Sequence, residues 1–499
     1  MMIRHMIFAT ALAITSLGVA QDPPAGGQSG SAKKYETRVA EAKALYESGK
    51  VDESLAAFKA LYDESQSAIM VKSWLGFLYL RTNQPDKAIP ILKAASEQQK
   101  DDVEILNNLG NAYYAVKDEE QALAVYKTLR EKDDKRFEPF YNTGNILLKR
   151  NDVDGAIAMF GRAAELKPDD PFVHNNLGVC HELKKDDAKA APAFVRAATL
   201  RPDNAVLNKN AGTSLIRNRR YAQAIPYLEK ARVADPNDQG VQDLLGEAYL
   251  KSQRFDEASK ILEAKKLRQP GDAATWYNLG YVRDHRGDLR GAREAYARAV
   301  ALNDKDIDAL NNYGLVLFKL EEYAAAKTTF QKLVGLAPKS LESQQNLGAA
   351  AIASGDAETA TKAWAPVVKA RPADYMLRLD YANALWEAGR TNDAYANFRF
   401  LVDNRSKMTA KQRAAVEPAA LNGVGLYYLS QSKFPQAEAT FRSSVQANGR
   451  FIPAYLNLAM TLEQQNQRAK GIEVLEMAAK ISPNDPEVRE MLTRMRNSR

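Results

Sequence analysis

The residues of this sequence that could act as a nucleophile, a base or a metal ligand lie close together. Cys180 directly precedes His181, which raises the question of a nucleophile paired with its base. Neighbouring residues of a helix face different directions, and nothing in the sequence supplies an oxyanion hole. His174 lies seven residues before His181, which on a helix is over ~10 Å and too far apart for one zinc ion with bonds of ~2.0–2.1 Å. We predict no catalytic residue and no metal ligand, and we place both histidines at packing positions in a helical core.

Pairs of adjacent aspartates are the other residues that could do acid–base chemistry. They are Asp101–Asp102, Asp133–Asp134 and Asp169–Asp170. Each pair lies where one predicted helix pair ends and the next begins, a place where Asp caps the following helix. The Gly-x-Gly sequence at 423–425 lies inside a predicted helix, so it is not a phosphate-binding loop. We predict no cofactor and no enzymatic activity. An enzyme with a site between repeats is an alternative that no group of residues supports.

One polar residue type recurs with a regular spacing. Asn is a poor helix former, so its repetition within predicted helices needs a reason. A side-chain amide offers both a donor and an acceptor, and a ladder of amides could therefore hold an extended polypeptide by its backbone. The alternative is that these amides bond within or between repeats. The ladder consists of Asn108, Asn142, Asn176, Asn210, Asn278, Asn312, Asn346 and Asn457.

Three further residue types recur every 34 residues and define the helices that carry these amides. Glycines lie at 76, 110, 144, 178, 212, 246, 280, 314 and 348. Alanines lie at 88, 122, 156, 190, 224, 258, 292, 326, 360 and 394. Prolines lie at 168, 202, 236, 270, 338 and 372. A bulky residue often follows four positions after the alanine, as with Phe160 and Trp364. Internal periodicity of this length indicates a repeat architecture.

Each of these positions has a physical cause. A glycine in mid-helix costs about 1 kcal/mol against alanine, so it is retained where another helix approaches closely. The alanine twelve residues later is small for the same reason, and the large residue one turn further on fills the space beneath the pair. The proline ends the second helix. Each repeat is therefore two antiparallel helices that bury their apolar faces only by stacking on neighbours.

This pattern resembles the tetratricopeptide repeat (TPR) family, whose unit is a 34-residue helix–turn–helix. The resemblance implies an all-α superhelical solenoid of about 13 antiparallel units with a C-terminal capping helix. Eleven contiguous units span 35–408, an insertion occupies 409–417, two further units span 418–485, and 486–499 forms the cap. We expect the insertion to lengthen a loop or a helix. We number positions from the first residue of each unit, which begin at 35, 69, 103, 137, 171, 205, 239, 273, 307, 341, 375, 418 and 452.

The periodicity of a helix separates two faces of the first helix of each unit. Positions 4, 8 and 11 pack against neighbours, whereas positions 2, 5, 6, 9, 12 and 13 point the other way, and we call the latter the first-helix face. In the TPR family this face lines the concave groove where ligands bind. The asparagine ladder lies at position 6 and is similar to the ladder in the TPR arm of the O-linked N-acetylglucosamine transferase.

Apolar side chains gather on the first-helix face in the second half of the chain, and exposed apolar surface usually marks a contact site. The alternative is that several are half-buried by curvature of the solenoid. The first half is more polar there, with Asn107, Asn111, Asn145 and Asn175. The apolar set is Tyr277, Tyr281, Leu315, Phe318, Ile352 and Trp386.

The first 34 residues predict export. Arg4 provides a basic start, residues 6–20 are mostly apolar, and small residues end the run at Ala20. This run is too short to span a ~30 Å hydrocarbon core, so we predict a signal peptide at 1–20. Residues 21–34 are rich in Gly, Pro, Ser and Gln and are expected to form a flexible linker. With no later transmembrane segment, we expect the protein in the periplasm or at the cell surface.

Composition narrows the partner classes. The net charge of +7 comes from 69 basic and 62 acidic residues spread over the chain, without the basic concentration typical of nucleic-acid binders. One cysteine excludes a disulfide framework. We predict a non-catalytic scaffold of the cell envelope that binds an extended peptide or partner segment in its groove and supports assembly of an envelope complex. The alternative is a structural protein associated with the cell wall or another polysaccharide, served by the net positive charge and by the basic cluster Arg405, Lys407, Lys411 and Arg413 at the insertion.

Overall fold

A computed structural model describes the backbone of residues 29–497 and the side chains from Lys34 onward. Over this range the chain forms 27 α-helices, one short 3-10 helix and no strand. The chain divides into two compact parts, one ending at Gln253 and the other beginning at Arg254. The predicted signal peptide, 1–20, and the linker up to residue 28 lie outside the described residues.

The N-terminal part contains thirteen helices. They are α1 (Ser29–Glu47), α2 (Val51–Glu64), α3 (Ile69–Arg81), α4 (Pro85–Gln98), α5 (Val103–Ala115), α6 (Glu119–Lys132), α7 (Phe137–Lys149), α8 (Val153–Leu166), α9 (Pro171–Leu183), α10 (Asp187–Leu200), α11 (Ala205–Arg217), α12 (Tyr221–Ala234) and α13 (Gln239–Lys251).

The C-terminal part contains the other fourteen, and the 3-10 helix Arg405–Lys407 lies between α22 and α23. They are α14 (Phe255–Arg268), α15 (Ala273–His285), α16 (Leu289–Leu302), α17 (Ile307–Lys319), α18 (Tyr323–Leu336), α19 (Leu341–Ala353), α20 (Ala357–Ala370), α21 (Tyr375–Glu387), α22 (Thr391–Asp403), α23 (Ala410–Ser430), α24 (Phe434–Ala447), α25 (Ile452–Gln464), α26 (Arg468–Ile481) and α27 (Pro486–Asn497).

The large residue at position 24 lies directly on the glycine at position 8. A Cβ atom added to Gly144 would lie 2.7 Å from the ring of Phe160, and one added to Gly314 would lie 2.6 Å from the ring of Phe330. Both rings are fully buried. The glycine is therefore required because the two helices of a repeat pack with the ring against bare backbone. The same contact joins Gly110 to Tyr126, Gly178 to Phe194, Gly212 to Leu228, Gly280 to Tyr296, Gly348 to Trp364 and Gly425 to Phe441.

In one repeat the glycine that faces the large residue comes from the next repeat. Position 8 of the repeat beginning at 375 is Ala382, which is fully buried. Its large residue, Phe398, instead faces Gly423 in the next repeat, where an added Cβ would lie 2.6 Å from the ring. Gly423 occupies position 6, where most repeats carry Asn. Room for the aromatic ring thus explains the glycine that precedes the expected Gly425.

The turn inside each repeat adopts the left-handed conformation at position 15. Gly occupies this position at 49, 287, 355 and 389, with φ between 75° and 82°. The other repeats place a residue other than glycine there, such as Asn83 at φ 57° and Lys117 at φ 67°. A left-handed residue after a helix lets the last carbonyls of that helix find amide partners. The tight turn brings the second helix back antiparallel to the first.

The insertion 409–417 lengthens a helix. α23 has 21 residues, whereas the other first helices from α3 to α25 have 13, and its extra turns precede position 1 of that repeat. Thr409 caps it by accepting from the backbone of Gln412, whose side chain accepts from the Thr409 backbone. This reciprocal capping box explains why the added residues continue a helix and do not form a loop.

The two ends of the array differ from the interior. α1 begins at Ser29, so residues 29–34, which the sequence analysis placed in the linker, are helical. Adding residues to an existing helix costs little compared with nucleating one. At the other end, α27 buries Val488 and Met495 against the last repeat. Met495 lies over Gly471, which replaces the alanine at position 20.

Aspartates cap many of the helices. Asp102 accepts from the backbone of Glu104 and Ile105, and Asp170 accepts from Phe172 and Val173. These two pairs of aspartates cap as predicted. Asp133 does not cap a helix; it accepts from the backbone of Lys135 and the guanidinium of Arg136.

Asp356 combines a cap with an ion pair, and we expect its removal to have a pH-dependent effect. Its carboxylate accepts from Lys327 Nζ at 2.9 Å and from the backbone N–H and hydroxyl of Thr359 at 3.0 and 2.8 Å. The hydrogen bond from Lys327, followed by those from Thr359, lowers the pKa of Asp356 to about 2. Because the folded pKa lies below the unfolded value of about 3.9, this stabilisation is present above about pH 4 and is lost as pH falls towards 2.

Replacing Asp356 by Ala should lower the free energy of unfolding by about 1 kcal/mol at pH 7. Urea unfolding followed by circular dichroism at pH 7 and at acid pH measures this. Asp356→Asn, which keeps an oxygen at the cap and loses the charge, serves as the control and should cost less. An effect of Asp356→Ala that stays equal at both pH values would contradict the assignment.

Two glycines of one repeat provide a matched test of the helix-packing contact. Gly314→Ala should destabilise by about 1–3 kcal/mol, since the new Cβ would overlap the Phe330 ring. Gly335 lies in α18 with nothing within 4 Å of an added Cβ, so Gly335→Ala should stabilise by about 0.5–1 kcal/mol. Urea unfolding and hydrogen exchange of α17 and α18 measure both. If both substitutions change the free energy of unfolding in the same direction, the Phe330 ring does not restrict the space at Gly314.

Candidate binding face

First helices of neighbouring repeats contact each other within each part of the protein. In the N-terminal part α3 contacts α5, and α5 contacts α7; in the C-terminal part α15 contacts α17, and α17 contacts α19. Position 6, which carries the asparagine ladder, lies in these helices. The ladder residues therefore have neighbours one repeat away.

Asn142 shows what the ladder amides bond to. Its Nδ2 donates to Asn111 Oδ1 at 3.1 Å and to the hydroxyl of Tyr126 at 3.0 Å, and that hydroxyl donates to Asn111 Oδ1 at 2.8 Å. Asn142 and Tyr126 are buried. Burial raises the pKa of Tyr126 far above its usual value, so the hydroxyl stays protonated. The amide thus joins one repeat to the polar tip of the large residue of the preceding repeat.

The other bonded ladder amides also reach back to the preceding repeat. Their acceptors lie at position 5 or 9 of that repeat, which is 35 or 31 residues earlier in the chain. The pairs are Asn176 to Asn145 at 2.9 Å, Asn210 to Asn175 at 2.8 Å, Asn312 to the Tyr277 hydroxyl at 3.2 Å, Asn346 to Asn311 at 3.4 Å and Asn457 to Asn422 at 2.9 Å.

Two ladder residues lack such a bond. The side chains of Asn108 and Asn278 have no hydrogen-bond partner among residues 29–497; Asn108 is buried, whereas Asn278 is half-buried. In both cases the large residue of the preceding repeat is a leucine, Leu92 or Leu262, which has no polar tip. Asn278 therefore keeps its amide available on the first-helix face.

Position 6 also covers the large residue when it is not asparagine. Trp74 occupies position 6 of its repeat and stacks on Phe58, position 24 of the preceding repeat, with ring centroids 5.4 Å apart. In this repeat too, position 6 makes a contact between repeats. For six of the eight asparagines the structure favours the interpretation that they bond between repeats.

Tyrosines reinforce this polar network in the N-terminal part. Burial raises the pKa of Tyr141 to about 12, against hydrogen bonds with Asn145 and Asn176 that lower it. Burial also raises the pKa of Tyr114, again opposed by a hydrogen bond with Asn145. Asn145 and Asn176 of this part of the first-helix face thus already have partners within the array.

The predicted apolar residues of the first-helix face are all half-buried. Tyr277 packs on Tyr296 with ring centroids 5.8 Å apart. Tyr281 lies against His285 at 4.0 Å, and Phe318 contacts Tyr323 at 5.2 Å. Leu315 and Phe318 pack on the buried cluster of α17–α19, Ile352 on that around Trp364, and Trp386 on that around Phe398. Each therefore shares its surface between core and solvent.

Cys180 and His181 lack the properties of a nucleophile–base pair. Cys180 is fully buried, and burial raises the pKa of its thiol to about 12. Burial also lowers the pKa of His181. Both histidines are half-buried and not in the core interior as predicted, because His174 turns its Nε2 to the carbonyl of Pro168 at 2.8 Å.

The His174 bond belongs to a motif that the sequence analysis did not identify. In six repeats the side chain at position 4 bonds to the backbone carbonyl six residues earlier, at position 32, and so ties the first helix to the turn before it. The sequence signal for this motif was the repetition of polar side chains at position 4, which the sequence analysis assigned to packing. The pairs are His174 with Pro168, Asn208 with Pro202, Gln242 with Pro236, Trp276 with Pro270, Gln344 with Pro338 and Tyr455 with Gly449.

Comparison with known families identifies the repeat. Family models described as the tetratricopeptide repeat match residues 45–107, 79–141, 141–205, 215–279, 277–340 and 428–495, which together cover more than half of the chain. The chain belongs to the TPR family. TPR repeats indicate a protein–protein interaction scaffold, and TPR proteins are typically non-catalytic.

Solved TPR structures are similar to parts of the chain. YrrB, described as a TPR protein with an unusual peptide-binding site, is 24% identical, with 37% of this chain and 96% of YrrB covered and a TM-score of 0.34. A TPR protein from Parabacteroides merdae is 16% identical, with 46% and 92% covered and a TM-score of 0.36. PilF of Pseudomonas aeruginosa is 19% identical, with 42% and 94% covered and a TM-score of 0.34. No curated protein sequence matches the chain.

The described residues contain neither a membrane-spanning helix nor a metal-binding cluster. Across residues 29–497, no helix of the TPR array is both long and apolar enough to cross a membrane. The same residues contain no cluster of three or more His, Cys, Asp or Glu side chains arranged to hold a metal ion.

The two kinds of ladder asparagine should respond differently to truncation. Asn142→Ala removes two hydrogen bonds from a buried site and should cost about 1–2 kcal/mol, measured as faster hydrogen exchange in α6 and α7. Asn278→Ala removes no hydrogen bond and adds a better helix former, so α15 should exchange no faster. Equal effects of both substitutions would contradict this division of the ladder.

Proposed function

We propose that this protein is an exported TPR scaffold whose first-helix face binds an extended peptide or partner segment and so supports assembly of an envelope complex. The observation that carries the proposal is the set of bulky side chains, from Tyr281 to Trp386, that remain half-exposed on consecutive first helices. Half-exposed aromatic and aliphatic residues on a rigid array supply contact area at little entropic cost. The export signal at 1–20 motivates the envelope location.

The ladder contributes less to this function than its regularity suggests. Six of its amides already donate to the preceding repeat, so their substitution would disturb stacking as well as binding. Asn278 is the exception, since its side chain has no hydrogen-bond partner in the described part of the chain. We therefore assign peptide contact to Asn278 and to the apolar side chains around it, and inter-repeat bonding to the other asparagines of the C-terminal part.

The experiment is affinity capture from the protein's own envelope extract, followed by mass spectrometry. The bait is the chain from Gln21 onward, and the test variant carries Phe318→Ala and Trp386→Ala. The control carries Leu267→Ala and Met477→Ala, two exposed side chains of second helices, 80% and 52% accessible. Thermal unfolding establishes that both variants fold.

A partner that binds the control but binds the test variant about tenfold more weakly is the expected result, as anchors of this kind contribute over 1 kcal/mol each. A partner retained equally by both variants would move the site away from the first-helix face. Capture of no protein at all would favour the polymer-binding alternative.

The alternative function, contact with an envelope polymer, rests on the lengthened helix. Lys407 of the preceding 3-10 helix and Lys411 and Arg413 of α23 are exposed. None of the three forms an ion pair with a described residue, whereas Arg405 pairs with Glu417. A cationic surface of this kind attracts anionic polymers. Co-sedimentation with envelope polymer that disappears at high salt and with Lys411→Gln/Arg413→Gln would favour it.

A further inference from the structure

The first-helix face of the C-terminal part carries an unbalanced negative charge. Over α15, α17, α19 and α21, four exposed carboxylates on this face form no ion pair with any described residue; they are Asp308, Glu342, Asp380 and Glu387. The one lysine of the face in these helices, Lys319, is paired with Asp284 at 2.7 and 3.0 Å. This excess is local, because the whole chain has a net charge of +7.

The corresponding face of the N-terminal part is different. There Glu104 pairs with Arg136, and Glu138 pairs with Lys167. Glu182 likewise pairs with Arg217, and Lys209 pairs with Asp238 at 2.6 Å. Several acids of that face are thus paired, whereas Glu36, Glu47 and Glu247 are exposed without an ion pair to a described residue. Only the C-terminal part has such carboxylates on three successive first helices, α17, α19 and α21.

The unpaired acids lie on the same helix face as the apolar residues, three of them nearer the start of their helices. Asp308 and Glu342 occupy position 2 of successive repeats, and Asp380 occupies position 6, one turn further along the same face. The pKa of Tyr277 is raised by burial and then by the charge of Asp308, which places that carboxylate near the face. Partial burial of its carboxyl group, and then the charge of Asp374, raise the pKa of Asp380.

We infer that this acidic and apolar face, which carries Asp308, Glu342 and Asp380 on the same helices as Phe318, Ile352 and Trp386, selects a partner segment that carries both Lys or Arg and bulky apolar residues. The inference rests on the proposed function, which it deepens by naming the chemistry of the partner. Opposite charge at the rim of an apolar contact gives specificity and faster association. Anionic lipids and polymers are repelled by the same carboxylates.

The test measures binding of short fluorescein-labelled peptides to the full chain by anisotropy at low and high salt. The cationic probe alternates Lys and Leu with Gly and Ser spacers, and matched probes replace Lys by Glu or Leu by Ser. The charge variant is Asp308→Asn/Glu342→Gln/Asp380→Asn. Its control, Glu294→Gln/Glu358→Gln/Glu473→Gln, removes the same charge from exposed positions of second helices.

We expect the cationic probe to bind more tightly than either matched probe, with affinity that falls at high salt. The charge variant should bind it about tenfold more weakly, as the loss of three exposed charge pairs implies, while the control should bind as the parent does. Equal weakening in both variants would overturn the inference, because total charge would then explain the binding.

A second variant separates failure of the inference from failure of the proposed function. If Phe318→Ala/Trp386→Ala weakens binding of the probe and the charge variant does not, the face binds peptides without selecting cations, and only the inference falls. If neither variant changes binding, the peptides bind elsewhere, and both the inference and the proposed face are wrong.

Discussion

The contact between bare backbone at position 8 and a large side chain at position 24 is the constraint on which the rest of this array depends. It sets the distance between the two helices of a repeat, because the Phe160 ring leaves no room for a Cβ atom on Gly144. That distance fixes how each pair presents its outer surface to the next pair. Where the repeat at 375 carries Ala382 in place of the glycine, the following repeat supplies a glycine, Gly423, against the Phe398 ring.

The same large residue organises the polar side of the stack. Its far edge meets position 6 of the next repeat, so a tyrosine there needs a hydrogen-bonding partner and Asn142 provides one for Tyr126. A buried hydroxyl without a partner would cost about 1–3 kcal/mol. The Phe58 ring has no polar group, and Trp74 covers it by stacking. Most residues of the asparagine ladder thus form hydrogen bonds between repeats. The surface left for a partner consists of the side chains that take no part in these bonds.

The surface that we propose for binding lies where contacts between repeats leave side chains without partners. The N-terminal part bonds several of its amides and tyrosines internally, as in the network of Tyr141 with Asn145 and Asn176. The C-terminal part leaves half-exposed Phe318 and Trp386, the free amide of Asn278 and carboxylates such as Glu342 without cations. One fold thus carries two surfaces of different chemistry, which is expected because function depends on the residues of a site and not on the fold that holds it.

The sequence by itself determined the helix pairs and their period, since a glycine, an alanine and a proline each report a local steric requirement that needs no knowledge of distant residues. It also predicted caps such as Asp102, whose partners lie two and three residues away. Only the tertiary structure decided which asparagines are engaged, because their acceptors lie 31 or 35 residues away and depend on how neighbouring repeats stack. The left-handed turn at position 15 was equally hidden, because residues such as Lys117 and Glu321 adopt it under the constraint of the packed helices.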